Sequence, residues 1–340
     1  MSSAMGGRVR VLRALVGVAV AGTLVVGCGG SDGSDGAGGS GASTTSAAAS
    51  STEFVPFTAT HVFGETEIDA RPERIVSLDP QWTDVLLAMG VTPVGYLTSA
   101  QLIGSETFPW QEDMLADSTA IEYTDSVPLE TVAALQPDLV LGTYVFTDQA
   151  AYDQIAAQFP VIAAPTNQQV QDWEDLTTLT GRFLGEPDRA QQVIDDVNDG
   201  VAKVADELPG LAGKTIAFAN YYAAGNAIVV PSDPDDGANV LFAQLGLDLA
   251  PGIVALDSDE TGRTNLSLEQ VDALDGDILL VLTNGTDTAD IVGWDALPAV
   301  QAGTAQVMDT AQAWALNTPS PLSLPWAIEQ IRPTLEAAAK

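Results

Sequence analysis

Short apolar runs alternate along this chain with segments whose apolar positions recur every three or four residues. Residues 74–78 (RIVSL), 138–142 (DLVLG) and 161–164 (VIAA) read as buried strands. Between them, residues 84–89, 129–135 and 152–158 read as helices, the first stopped by Gly90, and residues 91–96 lead into a further strand. The second half repeats the alternation, with strands at 215–219, 277–282 and 306–309. Its helices lie at 238–245, 268–274 and, at the end, 324–338. Alternation at this spacing predicts an α/β fold with mostly parallel sheets. Between the halves, Ala190, Val193, Ile194, Val197, Val201, Val204, Ala205 and Leu208 recur at helical steps. Pro187 starts this pattern and Pro209-Gly210 stops it. The expectation is one amphipathic helix over 187–208, about 30 Å long, joining a lobe over 54–186 to a lobe over 209–340.

The first 53 residues follow a different pattern. Arg8, Arg10 and Arg13 precede an apolar run over 14–26, too short for a comfortable membrane span. The run ends in Leu24-Val25-Val26-Gly27-Cys28, which resembles the bacterial lipobox. That resemblance implies a lipoprotein signal peptide over 1–27 and a diacylglycerol on the Cys28 thiol. Residues 29–52 contain only Gly, Ser, Asp, Ala and Thr. These 24 residues span roughly 27 Å root-mean-square as a Gly/Ser-type coil and read, with the residues flanking them, as a flexible tether over 28–53. The sequence therefore predicts a folded body held by a lipid anchor on the extracytoplasmic face of the membrane.

One pattern occurs twice. Residues 128–141 (PLETVAALQPDLVL) and 267–280 (SLEQVDALDGDILL) share L-E-x-V-x-A-L-x-x-D in one register, 139 residues apart. Each reads as a short helix feeding a buried strand, and two lobes on one plan account for the pair. Both copies put a carboxylate, Glu130 and Glu269, in the first helical turn. The helix dipole favours a carboxylate there but does not select the same register twice.

Charge and composition narrow the function. With 12 Lys+Arg against 46 Asp+Glu, the 340-residue chain carries −34, and loss of the leader with its three Arg would make that −37. So acidic a chain has no nucleic-acid partner. One His and one Cys cannot build a His/Cys zinc site, and one Cys permits no internal disulfide. Gly213-Lys214-Thr215 hints at a phosphate loop, but Leu208 stands where that loop needs Gly. The loop beginning at Asp257 suggests a calcium site, but its twelfth residue is Leu268 rather than Glu. His61 sits in a segment that reads as structural, and no carboxylate pair is singled out for acid–base work. The expectation is a protein that is not an enzyme and carries no cofactor.

Several segments point to a family. Thr60-His61-Val62-Phe63-Gly64 with Ile68, residues 71–76 (RPERIV), 82–96 (WTDVLLAMGVTPVGY), 108–110 (FPW), 135–140 (LQPDLV) and 320–328 (SPLSLPWAI) together resemble the iron-siderophore substrate-binding lipoproteins of ABC importers. The resemblance runs from about Glu53 to Leu335. It implies two Rossmann-like α/β lobes joined by a rigid helix, a ligand cleft between them, and a membrane permease with its ATPase as partners of a monomeric receptor. It also agrees with Glu130 and Glu269 as one permease-docking carboxylate per lobe.

Ligands of open α/β sheets sit beyond the carboxyl ends of the strands. In the first lobe that rule selects Gln81, Trp82, Tyr96, Tyr144 and Phe146, with Trp110 in the Phe-Pro-Trp loop. In the second it selects Tyr221, Tyr222, Asn284 and Trp314. Arg263, in a loop rich in Gly and Thr, is the cation best placed for a cleft. Aromatic walls suit a ferric siderophore, and equally haem or cobalamin, and the sequence leaves these open. The global charge favours a neutral or cationic complex, of hydroxamate or mixed type. An extracytoplasmic hydrolase and an adhesion lipoprotein are the alternatives from other classes. The first lacks a nucleophile–base constellation, the second surface repeats.

Overall fold

The computed structural model describes residues 54–123, 126–168, 170–256 and 262–340. The leader over 1–27, Cys28, the tether over 28–53 and most of the calcium-like loop, residues 257–261, lie outside the described residues.

The described chain opens on an antiparallel hairpin, β1 (Phe57–His61) and β2 (Gly64–Ile68). His61 is buried and structural: its Nε2 lies 3.1 Å from Thr66 Oγ1, its ring packs 5.2 Å from Tyr152, and burial lowers its pKa. The first sheet follows, with β3 (Ile75–Ser77), β4 (Gly95–Leu97), β5 (Thr119–Ile121), β6 (Leu139–Leu141) and β7 (Val161–Ile162) in the order β5-β4-β3-β6-β7. All its pairings are parallel. Strands β3, β6 and β7 are buried on both faces, hence their apolar runs.

The second sheet contains β8 (Thr215–Tyr222), β9 (Ala227–Pro231), β10 (Asp248–Leu249), β11 (Arg263–Leu266), β12 (Ile278–Leu282) and β13 (Ala305–Met308), in the order β11-β9-β8-β12-β13 with β10 paired to β8. It is mixed: β9 runs antiparallel to both β8 and β11. Arg263, expected in a loop, begins an edge strand, because a segment with one apolar residue, Leu266, carries no alternation to read.

Several helices depart from the sequence pattern, among them the unanticipated helix Thr310–Asn317. The helix Pro80–Ala88 starts four residues early, since Asp79 caps it by accepting from the Gln81 and Trp82 N–H groups and Pro80 supplies the first turn. The helix Trp173–Leu184 is unanticipated. It buries Thr177 and Thr180 alongside Leu176 and Phe183, so polar residues interrupt its apolar stripe. Residues 268–274 form a 3-10 segment with a break at Gln270 rather than an α-helix.

The repeated motif is a repeated strand pair. Leu139 pairs with Ile75 across β6 and β3, and Ile278 pairs with Ile216 across β12 and β8. In each case the Asp before the strand ties the start of its neighbour. Asp138 accepts from the N–H groups of Glu73 (2.8 Å) and Arg74 (2.9 Å), and Asp277 from the N–H (2.8 Å) and hydroxyl (3.0 Å) of Thr215.

The helix Pro187–Glu207 connects the sheets and divides its apolar stripe between two cores. Ala190 packs with Trp82, Leu176 and Phe183 of the first lobe. Ile194, Val197, Val201 and Val204 pack with Phe218, Phe242, Ile328 and Ile331 of the second. Each of these four Val and Ile side chains taken from water is worth about 1.5–3 kcal/mol and Ala190 correspondingly less, with partly buried Val193 adding to the first-lobe contact.

Candidate functional site: the cleft between the sheets

A cavity of about 700 Å³ opens where residues following β4, β6 and β7 face side chains of β8, β9 and β11 and residues following β12 and β13. The first lobe contributes Gln101, Leu102, Tyr144 and Val170, and the second a wall that includes Asn220, Tyr222, Arg263, Asn265, Asn284, Trp314 and Asn317. Asn284 and Trp314 lie beyond the carboxyl ends of the parallel strands β12 and β13, as open α/β sheets dictate, whereas Arg263 and Asn265 come from the edge strand β11 on the antiparallel side of the sheet.

Five of the eleven residues selected from sequence line this cavity: Tyr144, Tyr222, Arg263, Asn284 and Trp314. The other six lie elsewhere. Gln81 is buried, and its amide nitrogen donates to Pro319 O (2.7 Å) and Gln171 O (3.2 Å). Trp82 is 0% exposed and packs on Phe183 in the first core. Tyr96 packs with Leu87, Leu115 and Leu322. Phe146 is buried with Phe63 and Tyr152, filling the space that Gly142 leaves by having no side chain. Tyr221 is buried in the second core, because β8 alternates and sends Asn220 and Tyr222 to the cleft side. Trp110 stands behind the wall.

Trp110 belongs to an aromatic stack that crosses between the lobes. It lies 4.5 Å from Phe108 at 9°, Phe108 lies 5.9 Å from Trp314, and Trp110 also packs 5.1 Å from Trp326. Trp314 is thus the front ring of a stack whose rear is fixed by hydrogen bonds. Trp110 Nε1 and Gln111 Nε2 donate to the two oxygens of Asp84 (2.8 and 2.6 Å), and Ser320 Oγ donates to Asp84 from the far lobe at 2.6 Å. Burial pushes the Asp84 carboxyl up to about 6, against those three hydrogen bonds, which favour the ionised form. Burial likewise pushes Asp79 up to about 6.

The wall is rich in amides and hydroxyls. Asn220 and Asn317 exchange amide hydrogen bonds at 3.3 Å, and Asn284, held at φ 50°, donates to Tyr221 O at 3.1 Å. Burial and the carboxylates of Asp79 and Asp236 hold the Tyr144 phenol above its ordinary pKa, so it stays protonated and able to donate. Arg263 is the one Lys or Arg lining the cavity among the described residues. Sequence reasoning missed Gln101, Asn220, Asn265 and Asn317, because amides carry no pattern that separates a binding wall from a surface.

A sequence profile of the periplasmic binding proteins matches residues 75–310. The chain belongs to the periplasmic binding protein family. Among its relatives is the "probable siderophore-binding lipoprotein YfiY" of Bacillus subtilis, 27% identical over 267 residues, covering 74% of this chain and 80% of YfiY. The Fe(3+)-citrate-binding protein YfmC of the same organism is 25% identical, over 72% of this chain and 75% of its own. Solved structures share the fold. A periplasmic solute-binding protein of Mycobacterium smegmatis superposes with a TM-score of 0.70 at 23% identity, over 84% of this chain and 99% of its own. PiaA of Streptococcus pneumoniae in complex with ferrichrome does so with a TM-score of 0.69 at 22% identity, over 83% and 98%. In this periplasmic binding protein the cavity lies between the two sheets and is lined from both lobes. Among the described residues no helix is long and apolar enough to cross a membrane.

Proposed function

We propose that this periplasmic binding protein is the receptor of an ABC importer, captures a ferric siderophore in the cleft between its lobes and delivers it to the permease and its ATPase. The observation that carries the reading is the 700 Å³ cavity, in which Tyr144, Tyr222 and Trp314 present ring surface while asparagine amides and Arg263 present hydrogen-bond donors. A ferric siderophore offers complementary chemistry: apolar arms around a core of metal-bound oxygens. The likeness to a protein named as siderophore-binding supports it. The lobes run over 54–186 and 209–340, and the helix over 187–208 holds them at a set separation. Glu130 and Glu269, both exposed in the first turns of the repeated motif, dock the lobes on basic residues of the permease. Cys28 carries the lipid, so the receptor works as a monomer on the extracytoplasmic face, with the ligand as cargo rather than cofactor.

Titration of intrinsic fluorescence tests the reading, because Trp314 lies in the wall. Ferric siderophores should quench the emission at micromolar concentration or below, and their iron-free forms far less. Quenching by haem or cobalamin, with none by ferric siderophores, would replace the ligand class.

A further inference from the structure

Arg263 lies in the wall of the cleft with its charge already matched. Its Nε donates to Asp236 Oδ2 at 3.1 Å, its Nη1 to Asn317 Oδ1 at 2.8 Å and its Nη2 to Asn317 O at 2.9 Å. The two side chains of the ion pair are only 10% and 5% exposed. A guanidinium has five N–H groups, so one on each Nη is left without a partner among the described residues. The carboxylate is equally fixed, since Asp236 also caps the helix Gly237–Gln244 through Ala238 N–H at 3.1 Å. Burial pushes Asp236 up, and Arg263 pulls it back toward the ionised form. The surroundings add negative charge. A neighbouring cavity that shares Val170 with the cleft is lined by Asp172, Glu174, Asp175, Asp233 and Asp235, and by no Lys or Arg among the described residues.

We propose that the Arg263–Asp236 pair is a charge selector: it presents two N–H donors to ligand oxygens with no net positive charge, so the cleft takes neutral or cationic ferric complexes of hydroxamate type and rejects anionic ones. The proposal rests on the siderophore reading and names its ligand class. A neutral tris-hydroxamate core presents oxygens that accept such hydrogen bonds and requires no counter-charge. A tris-catecholate complex carries three negative charges and would meet a paired arginine inside an acidic surround. Asp236 is therefore the specificity residue, and its removal should unmask Arg263.

The test uses the full chain in detergent, with neutral ferrichrome, cationic ferrioxamine B and a trianionic ferric tris-catecholate at low and physiological salt. The wild type should bind the first two at least about 100-fold more tightly than the trianion. Asp236→Asn keeps a side chain that can cap the helix but removes the charge. Trianion affinity should rise at least about tenfold at low salt, as expected for deleting one charge several ångströms away in a partly buried site. That gain should shrink as salt rises, and the ratio of trianion to ferrichrome affinity should rise at least about tenfold at low salt. If Asp236→Asn does not fold, Asp236→Ser serves, since serine caps equally well. Tightest wild-type binding to the trianion, or an unchanged ratio between complexes in the variant, overturns the selector alone. Failure of the folded wild type to bind any ferric complex overturns the siderophore reading, and the selector with it.

Discussion

Asp84 offers the sharpest test of how the two lobes are held together. It is 2% exposed and accepts hydrogen bonds from Trp110, Gln111 and, across the lobe junction, Ser320. Burial lifts its pKa from 3.8 to about 6. A carboxyl whose folded pKa lies above its unfolded one keeps its proton longer in the folded state. Stability therefore falls as pH rises from about 4 to about 6 and is level above that. A shift of about 2 pH units corresponds to about 3 kcal/mol, and roughly half of it falls between pH 5 and pH 8. Asp84→Asn is isosteric and does not titrate. At pH 7 two effects oppose. Asparagine removes the cost of a buried charge, but its single oxygen faces three donors, and each one left unpaired costs about 1–3 kcal/mol. The variant's stability at neutral pH should thus differ little from the wild type's, while its pH dependence should be weaker. Urea unfolding at pH 5, 6, 7 and 8 measures this. The wild type should lose about 1–2 kcal/mol more than Asp84→Asn between pH 5 and pH 8. Parallel pH profiles for the two proteins would show that Asp84 titrates as it does in water and would refute the buried junction.

Other consequences are equally accessible. Trp314→Ala removes the front ring of the aromatic stack and should weaken ferric-ligand binding by about tenfold or more, in line with the cost of losing a buried aromatic contact, and abolish most of the fluorescence quenching. Gly252→Ala would set a methyl 2.5 Å from Ala273 O and 2.6 Å from its Cα, both backbone atoms. It should lower stability by about 1–3 kcal/mol in thermal or urea melts, and a neutral result would mean that the 3-10 segment yields. Reversing Glu130 and Glu269 to Lys together should stop uptake in cells while ligand affinity stays intact. Loss of affinity as well would place these residues in the cleft. Mass spectrometry of the membrane fraction should find a diacylated peptide beginning at Cys28, and a free thiol there would remove the anchor.

Local chemistry settled much of this protein before any folding. The stripe from Ala190 to Val204 encodes the connecting helix, because a helix between two cores needs apolar residues at helical spacing and nothing else. The shared register of residues 128–141 and 267–280 encodes the repeated strand pair, since each Asp must reach the start of the neighbouring strand. The strand-exit rule led to Tyr144, Asn284 and Trp314, which line the cavity, because chain direction through a parallel sheet is set by the order of its elements. Which side chains face the cavity was a different matter. Asn220 and Tyr221 are adjacent in sequence and point to opposite faces of β8, a choice made by the pleat and by the helices that cover one side. Trp82 entered the core because Asp79 and Pro80 began a helix four residues before its apolar pattern is visible. Asp84 meets Ser320 across 236 residues of chain, and Arg263 meets Asp236 and Asn317 across 27 and 54. A polar residue has the same sequence signature whether it faces water or a buried partner. Only the folded chain decides between them, because the energy lies in a pairing that no segment contains by itself.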